Sequence, residues 1–208
     1  MKNVNADIVG LQEVDNKAKR SGEVDQPAFL GEKLKMHSAF GSFMDYQGGQ
    51  YGLAILSKFP ITKETVVRLP DGNEPRVALV CEIKLPSGQT IAAVNLHFDW
   101  VKDDKFRFAQ AEKLSEFLNE LKMPYVLVGD FNDRRGSRTL DLLSRSTVEA
   151  EKPKSDWKTF SSTKPYTEID FLFAAPKSKW TINNCRVFDA PKTSDHRPVM
   201  ATMKLEKN

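Results

Sequence analysis

The chain has little cysteine and no long apolar segment. Only two of its 208 residues are cysteines, Cys81 and Cys185, and no C-x-x-C pair occurs. Their apolar neighbours in predicted strands indicate two buried free thiols, with a single disulfide as the alternative. The absence of clustered thiols argues against a zinc-thiolate site. No run of about eighteen apolar residues exists, so the sequence predicts no transmembrane helix.

The excess of one sign of charge is also small. The net charge of +3 is too small to argue for nucleic-acid binding by itself. Hydrophobic residues make up 40% and charged residues 28%, which is ordinary for a soluble globular protein. The length of 208 residues predicts one domain, or at most two small ones. Because no repeat, low-complexity tract or linker is evident, we expect a single domain over residues 1–208.

Short strand patterns dominate the chain, and few helices interrupt them. Apolar and β-branched runs predict strands at residues 7–11, 52–57, 61–69, 76–85, 90–96, 125–128, 169–173, 180–188 and 199–205. Helices are predicted at residues 27–35, 104–122 and 137–143, the second from three- and four-residue apolar spacing. A turn at residues 86–88 indicates a hairpin. Mostly antiparallel strands in two packed sheets, with helices outside, would bury this much apolar sequence.

Acidic, amide and imidazole side chains stand at the ends of these strands. They are Glu13, His97, Asp130, Asn132, Asp170, Asp195 and His196. Loops at strand ends gather on one rim of a sheet, where several carboxylates repel one another unless a cation or protons intervene. A hard ion such as Mg²⁺ accepts oxygen ligands and polarises a phosphoryl group. A nearby Asp can take a proton from water, and an Asp partner can tune a His.

Each of these residues alone also has a plain structural interpretation. Glu13 would be a solvated turn residue, and Asp195 with His196 an ordinary loop pair. Asp130 would lie in a simple turn, since Gly, Asp and Asn favour turns. A carboxylate within an apolar strand, as at Asp170, is harder to explain in this way because it needs a partner. The occurrence of all these residues in one chain favours the functional interpretation.

The motifs LQEV, NLH, GDFN, IDF and SDHRP, in this order, resemble the endonuclease/exonuclease/phosphatase superfamily, whose members include DNase I-like enzymes. The resemblance covers the chain from about Asn5 to Leu205. It implies an α/β (α+β) fold, a four-layer αββα sandwich of two mostly antiparallel sheets. It also implies metal-dependent cleavage of a phosphodiester or phosphomonoester by in-line attack of water. A non-catalytic binding module that kept the fold is the alternative.

The resemblance also implies roles for individual residues. Glu13 resembles the principal metal ligand, with Asp195 near the same Mg²⁺, for which Mn²⁺ is the alternative. Asp130 resembles the residue that orients or deprotonates the attacking water. Asp170 resembles an acid that supports a histidine, expected to be His97. The division of acid and base roles stays open.

Other residues are expected to contact the substrate. His196 and His97 resemble two histidines at the scissile phosphate, and Asn132 resembles a phosphate or transition-state contact. The substrate-binding set is expected to comprise Arg76, Asn132, Arg134 and Arg135, the last two because they directly follow the GDFN motif. The phosphoester itself stays open, with nucleic acid, a small molecule or a lipid as alternatives. A monomer is expected.

The start of the chain departs from the family pattern. The family begins with a strand bearing an Asn near the metal, followed by a helix and then the LQEV strand. We therefore expect an N-terminally truncated domain, with residues 1–5 as the end of that helix. The N-terminal sequence lacks the apolar core of a signal peptide. Localisation is left open, with secretion as one alternative, because a signal peptide would lie in the missing piece.

Overall fold

Two main β-sheets form the centre of the protein. A computed structural model describes residues 4–206 of the chain. The strands in this part are β1 (Ile8–Asn16), β2 (His37–Tyr46), β3 (Gly49–Ser57), β4 (Ile61–Arg68), β5 (Val77–Lys84), β6 (Thr90–His97), β7 (Tyr125–Asp130), β8 (Val148–Glu149), β9 (Asp170–Ala175), β10 (Trp180–Val187) and β11 (Val199–Leu205). The α-helices are α1 (Gln26–Leu34), α2 (Lys105–Glu120) and α3 (Arg138–Ser144), and two short 3₁₀ turns occupy Lys19–Ser21 and Lys177–Lys179.

The strands are arranged mostly antiparallel. One sheet has three strands in the order β1-β3-β2, and a second has six in the order β4-β5-β6-β7-β9-β8. Strands β10 and β11 form a separate antiparallel pair. Within the six-stranded sheet β6 and β7 are parallel, because α2 crosses over between them. Both strands of this parallel pair therefore end at the same edge of the sheet.

The layers are held together by two hydrophobic clusters. Inner-face residues of both sheets form the first cluster, which includes Phe43, Leu53 and Ile83. The second cluster fills the space between the six-stranded sheet and helices α2 and α3, where Leu114 and Leu140 are buried. Helix α1 packs on the outer face of the three-stranded sheet. The arrangement confirms the predicted α/β sandwich with helices outside two sheets.

Most predicted elements are present, but strand β2 was not predicted. Its sequence, HSAFGSFMDY, alternates in burial as a strand does, yet contains no Val, Ile or Thr. The first strand was predicted to end at Leu11, whereas β1 continues through a bulge to Asn16. The three predicted helices form, and Ser137 caps α3 by accepting from the Leu140 amide. Cys81 and Cys185 are buried free thiols, as expected.

The expectation that residues 1–5 end a helix falls partly on residues 1–3, which lie outside the described range. Residues 4–7 form a turn, irregular chain and a bend, and not helix. Across the described part of the chain, no helix is both long and apolar enough to cross a membrane.

Candidate active site

Three neighbouring strands bring three of the candidate side chains into one row. His97 ends β6, Asp130 ends β7, and the two are register partners in the parallel pair. Asp170 begins the antiparallel strand β9 and is the register partner of Asp130. Directly opposed residues on neighbouring strands have side chains on the same face of the sheet. The order of the strands therefore places Asp130 between His97 and Asp170.

Glu13 approaches this row from the other sheet. The pairing of β1 with β3 shifts register between Leu11 and Val14, which is a β-bulge. Within the bulge Glu13 has φ of 59°, a conformation that non-glycine residues seldom adopt. Bulges redirect a side chain out of the regular alternation and are common beside active sites. Here the exposed Glu13 carboxylate lies near enough to Asp130 that its charge helps to raise the pKa of Asp130.

The GDFN motif forms a tight turn at the end of β7. Gly129 has φ of 150°, and a Cβ at this position would lie 2.1 Å from the Leu96 carbonyl oxygen, so only glycine fits. Asn132 also has a positive φ, 48°, and its amide donates to Asp130 Oδ1 at 2.8 Å. Its side-chain Nδ2 donates to the Phe98 carbonyl at 3.0 Å. The turn therefore fixes both Asp130 and Asn132 at the rim.

His196 reaches the row from the loop before β11. Its Nδ1 lies 3.0 Å from Asp170 Oδ2 and 3.1 Å from Oδ1, and its Nε2 lies 3.7 Å from Asp130 Oδ2. The expectation that Asp170 supports His97 is therefore wrong, because β9 directs Asp170 toward the 196 loop. Asp195 is exposed, and its carboxylate makes no hydrogen bond with the His196 ring in the described contacts.

The charges of these groups depend strongly on one another. Burial, followed by the charge of Asp170, raises the pKa of Asp130 well above its usual range, and His196 opposes this shift. For His196, burial lowers the pKa, but the hydrogen bond and charge of Asp170 outweigh it and raise the pKa to about 9. Burial and the Arg76 charge hold the pKa of His97 well below its ordinary value. His196 is thus a cation at neutral pH, while His97 is neutral.

Arg76 and His97 carry buried polar atoms that have no partner among the described residues. Arg76 is 2% exposed, and only its terminal NH2 is paired, with Glu74 Oε2 at 3.0 Å. Its Nε and NH1, together with Nδ1 of His97, lack any hydrogen-bond partner. Unpaired buried donors are costly and uncommon in native proteins. An anion held beside them would remove this cost, which supports Arg76 as a substrate contact.

The two arginines after the GDFN motif differ in their surroundings. Arg135 makes a bidentate ion pair with Glu149, at 2.7 and 2.6 Å, and also approaches Glu168 at 3.4 Å. Its guanidinium is therefore occupied by protein carboxylates, which argues against the expected substrate contact. Arg134 is exposed and has no ion pair among the described residues, so it is available to a ligand.

Positioning residues around His196 were missed at the level of sequence. Arg197 follows His196 in the SDHRP motif, and its Nε donates to the Ser162 carbonyl at 2.9 Å. Its amide donates to the Thr159 carbonyl at 2.7 Å. The Thr159 hydroxyl in turn accepts from the Asp170 amide at 3.3 Å. These contacts tie the loop of His196 to the start of β9, and no sequence signal reveals such backbone partners.

Tyr51 of β3 lies beside Glu13 and was not expected at the site from the sequence. Its hydroxyl interacts with Glu13 and Arg20, and burial, followed by the Glu13 charge, raises its pKa. Arg20 lies over the rings of Tyr46 and Tyr51, at 4.5 and 4.7 Å from their centroids. Arg20 is itself held by Asp15 through hydrogen bonds of 2.9 and 2.8 Å. Tyr51 therefore forms one wall of the site beside Glu13.

The donor atoms at the rim are suitable for a divalent cation. Ligand atoms of Asp130, Asp170 and His196 all lie within 4.8 Å of one another, the one such group in the described part of the chain. Glu13 and Asp195 lie outside this group, although both charges act on it. The clustered carboxylates match the oxygen ligands of Mg²⁺ or Mn²⁺, whereas the protonated His196 has no free nitrogen lone pair to bind a metal. A cation would also relieve the repulsion that raises the pKa of Asp130.

Comparison with known proteins agrees with the fold and the motifs. The family model described as "Endonuclease/Exonuclease/phosphatase family" matches residues 1–196. The chain is 27% identical over 219 residues to the uncharacterized protein YbhP of Escherichia coli (strain K12), covering 99% of this chain and 86% of that protein.

Solved structures show the same fold at low sequence identity. A mannosyl-6-phosphatase of Bacteroides thetaiotaomicron VPI-5482 aligns with a TM-score of 0.77 and 19% identity, covering 97% of this chain and 86% of that chain. The catalytic domain of human Nocturnin, with a bound sulfate anion, aligns with a TM-score of 0.77 and 19% identity, covering 98% and 82%. Because the family model spans most of the chain, the protein belongs to the endonuclease/exonuclease/phosphatase family.

Proposed function

We propose that the chain is a divalent-metal-dependent phosphoesterase that hydrolyses a phosphodiester or phosphomonoester by in-line attack of water. Members of its family are hydrolases of phosphoester bonds. The observation that carries the proposal is the position of Asp130, whose Oδ2 lies 3.5 Å from His97 Nε2 and 3.7 Å from His196 Nε2. A buried carboxylate between two imidazoles, one of them cationic, is suited to proton transfer at a bound phosphate.

Each residue has a task that follows from its surroundings. Asp130 orients the attacking water and accepts its proton, because it lies between His97 and His196 at the rim and a bound cation would keep its carboxylate ionised. Asp170 holds Nδ1 of His196, so that the opposite nitrogen faces the phosphate as a charged donor. Arg76 offers its unpaired Nε and NH1 donors to the phosphoryl oxygens, neutral His97 offers the one N–H of its ring, and Asn132 is fixed on the same rim.

A metal ion would be held by Glu13 with the carboxylates of Asp130 and Asp170, and Asp195 would add charge from the rim. When bound, Mg²⁺ or Mn²⁺ supplies positive charge that neutralises the phosphoryl oxygens. The donor set supports such an ion on chemical grounds, since oxygen ligands are those that hard cations prefer. Of the metal ligands expected from the sequence, the proposal keeps Glu13, leaves Asp195 as a nearby charge, and adds Asp130 and Asp170.

The substrate class is proposed only as a phosphoester. The mannosyl-6-phosphatase named above acts, by its name, on a sugar phosphate, and the sulfate in Nocturnin is a phosphate-like anion in that protein. Nucleases rely on many phosphate contacts along a basic groove. The net charge of +3 and the occupied Arg135 give this chain little such surface, which supports a compact phosphoester over a long polynucleotide.

The experiment that tests the proposal measures hydrolysis of a chromogenic phosphodiester and a chromogenic phosphomonoester with Mg²⁺, Mn²⁺ or EDTA. We expect turnover with metal and none in EDTA. Asp130→Asn, Glu13→Gln and His196→Ala should each lower turnover by about two or more orders of magnitude. Asp103→Asn, at an exposed site before α2, is the matched control and should retain wild-type rates.

Plasmid DNA, RNA and sugar phosphates then separate the substrate classes. Full activity in EDTA would refute the metal dependence. If the wild-type protein hydrolyses no phosphoester under any of these conditions, the non-catalytic binding module is the better explanation of the fold.

A further inference from the structure

Two motif residues near the site have no role in the chemistry described above. Gln12 precedes Glu13 in LQEV, and Asn95 lies two residues before His97 in NLH. They are 83 positions apart, yet Gln12 Nε2 donates to Asn95 Oδ1 at 2.6 Å. Asn95 is fully buried, with 0% of its surface exposed. A buried side-chain amide is retained only where its hydrogen bonds are satisfied, so its partners indicate what it does.

Asn95 connects the two sheets at the bulge of β1. It belongs to β6 in the six-stranded sheet, but its Nδ2 donates to the carbonyls of Leu11 and Ala54, at 2.8 and 3.0 Å, in the three-stranded sheet. Leu11 and Ala54 are register partners, and they are the last pair before the bulge. One amide therefore satisfies backbone oxygens on both strands at the point where the regular ladder stops.

The bulge needs such support because its backbone is unfavourable. Glu13 has φ of 59°, and a conformation of this kind persists only when neighbouring contacts over-determine it. The backbone of β1 is also closely packed against the Asn95 side chain, because a Cβ on Gly10 would lie 3.0 Å from Asn95 Oδ1. Gln12, inside the bulge, holds Asn95 Oδ1 and so fixes which way the amide faces.

We propose that Asn95, oriented by Gln12, is the positioning residue that fixes the bulge of β1 and hence the place of the Glu13 carboxylate beside Asp130. Through the Gln12–Asn95 hydrogen bond, the six-stranded sheet, which carries Asp130, determines the position of Glu13, the proposed metal ligand on the other sheet. The structural part of the proposal stands on the contacts alone, and only its consequence for metal affinity rests on the proposed function.

Hydrogen exchange in the metal-free protein tests the structural part. Asn95→Leu keeps the branched shape, at a somewhat larger volume, but removes the amide, and we expect the amides of residues 11–14 to exchange about tenfold faster or more. Val94→Ala is the matched control, because Val94 is the neighbour on β6, is equally buried and faces the opposite cluster. Protection of residues 11–14 equal in Asn95→Leu and Val94→Ala would overturn the proposal.

Mn²⁺ binding, measured by electron paramagnetic resonance without substrate, tests the consequence. Supporting groups behind metal ligands typically change metal affinity by about 10- to 100-fold, and we expect Asn95→Leu to weaken binding within this range. Gln12→Met should weaken it less, in the same direction, and Val94→Ala should bind like the wild type. Wild-type affinity in Asn95→Leu would overturn the proposal. A wild-type protein that binds no Mn²⁺ refutes the proposed function instead, and the exchange result then decides the role of Asn95.

Discussion

Replacement of Asp170 by Asn separates the charge of this residue from its shape. Asn has nearly the same size, but it cannot offer His196 Nδ1 the carboxylate that now lies at 3.0 and 3.1 Å. The substitution removes the hydrogen bond and the charge that keep the pKa of His196 at about 9. Burial lowers this pKa, while the charges of Asp130 and Asp195 remain, so we expect it to fall from about 9 toward the ordinary 6.5 in the variant.

The size of the effect follows from that pKa. The pKa of His196 is about 9 and its ordinary pKa is 6.5, a difference of 2.5. At about 1.36 kcal/mol for each pKa unit, the surroundings stabilise the charged form of His196 by at most about 3.4 kcal/mol. The His196 side chain is 26% exposed, and Asp130 also contributes, so the share of Asp170 is smaller. A charged hydrogen bond is worth about 1.5–3 kcal/mol, or a loss of about 10- to 150-fold in kcat.

Two measurements check this prediction. Nitrogen-detected NMR of the imidazole in metal-free protein gives the pKa of His196, and steady-state hydrolysis of the chromogenic substrate gives kcat. Asp195→Asn is the matched control, because Asp195 influences the His196 pKa less and does not bond the ring. The reasoning is refuted if Asp170→Asn leaves the pKa of His196 near 9, or if Asp195→Asn lowers it as much.

The same pair predicts how stability depends on pH. The folded-state pKa of His196 is raised to about 9, above the ordinary 6.5 of an unfolded chain. Its stabilisation is therefore fully present below pH about 6.5 and is lost as pH rises through about 9. The pKa of Asp130 is also raised in the folded state, so Asp130 likewise makes the folded protein less stable as pH rises, over a range that begins at lower pH. Urea unfolding of the metal-free protein should show this loss, and Asp170→Asn should reduce it between pH 7 and 9.

Three further substitutions test the scaffold by urea unfolding. Gly129→Ala should cost about 2 kcal/mol or more, because its Cβ would lie 2.1 Å from the Leu96 carbonyl; an unchanged midpoint would contradict this. Arg107→Met should cost about 3–5 kcal/mol, since it leaves Asp133, now paired at 3.1 Å, without its partner; a loss under about 1 kcal/mol would contradict this. Phe131→Ala should cost about 3–5 kcal/mol, because its ring is fully buried and makes edge contacts with three other rings; a smaller loss would indicate collapse of the cavity.

Local sequence signals predicted the parts of the fold that depend on local physics. Helix α2 follows from its apolar spacing and α3 from its Ser137 cap, and both were predicted close to their observed ends. Strand β2 was missed because its sequence has no β-branched residues, so its pairing with β3 and its burial decide its conformation. The extension of β1 was missed because a bulge interrupts the apolar alternation from which a strand is predicted.

The sequence by itself determined which side chains are candidates for the proposed chemistry, because motif order and residue type are properties of the chain. Only the tertiary structure decided their partners. Strand β9 places Asp170 in hydrogen-bond contact with His196 and not with His97, and Arg135 forms an ion pair with Glu149. Asn95 joins the two sheets behind Glu13, which no local pattern indicates. These pairings depend on strand order and on contacts between residues far apart in sequence, and such contacts exist only once the sheets have packed.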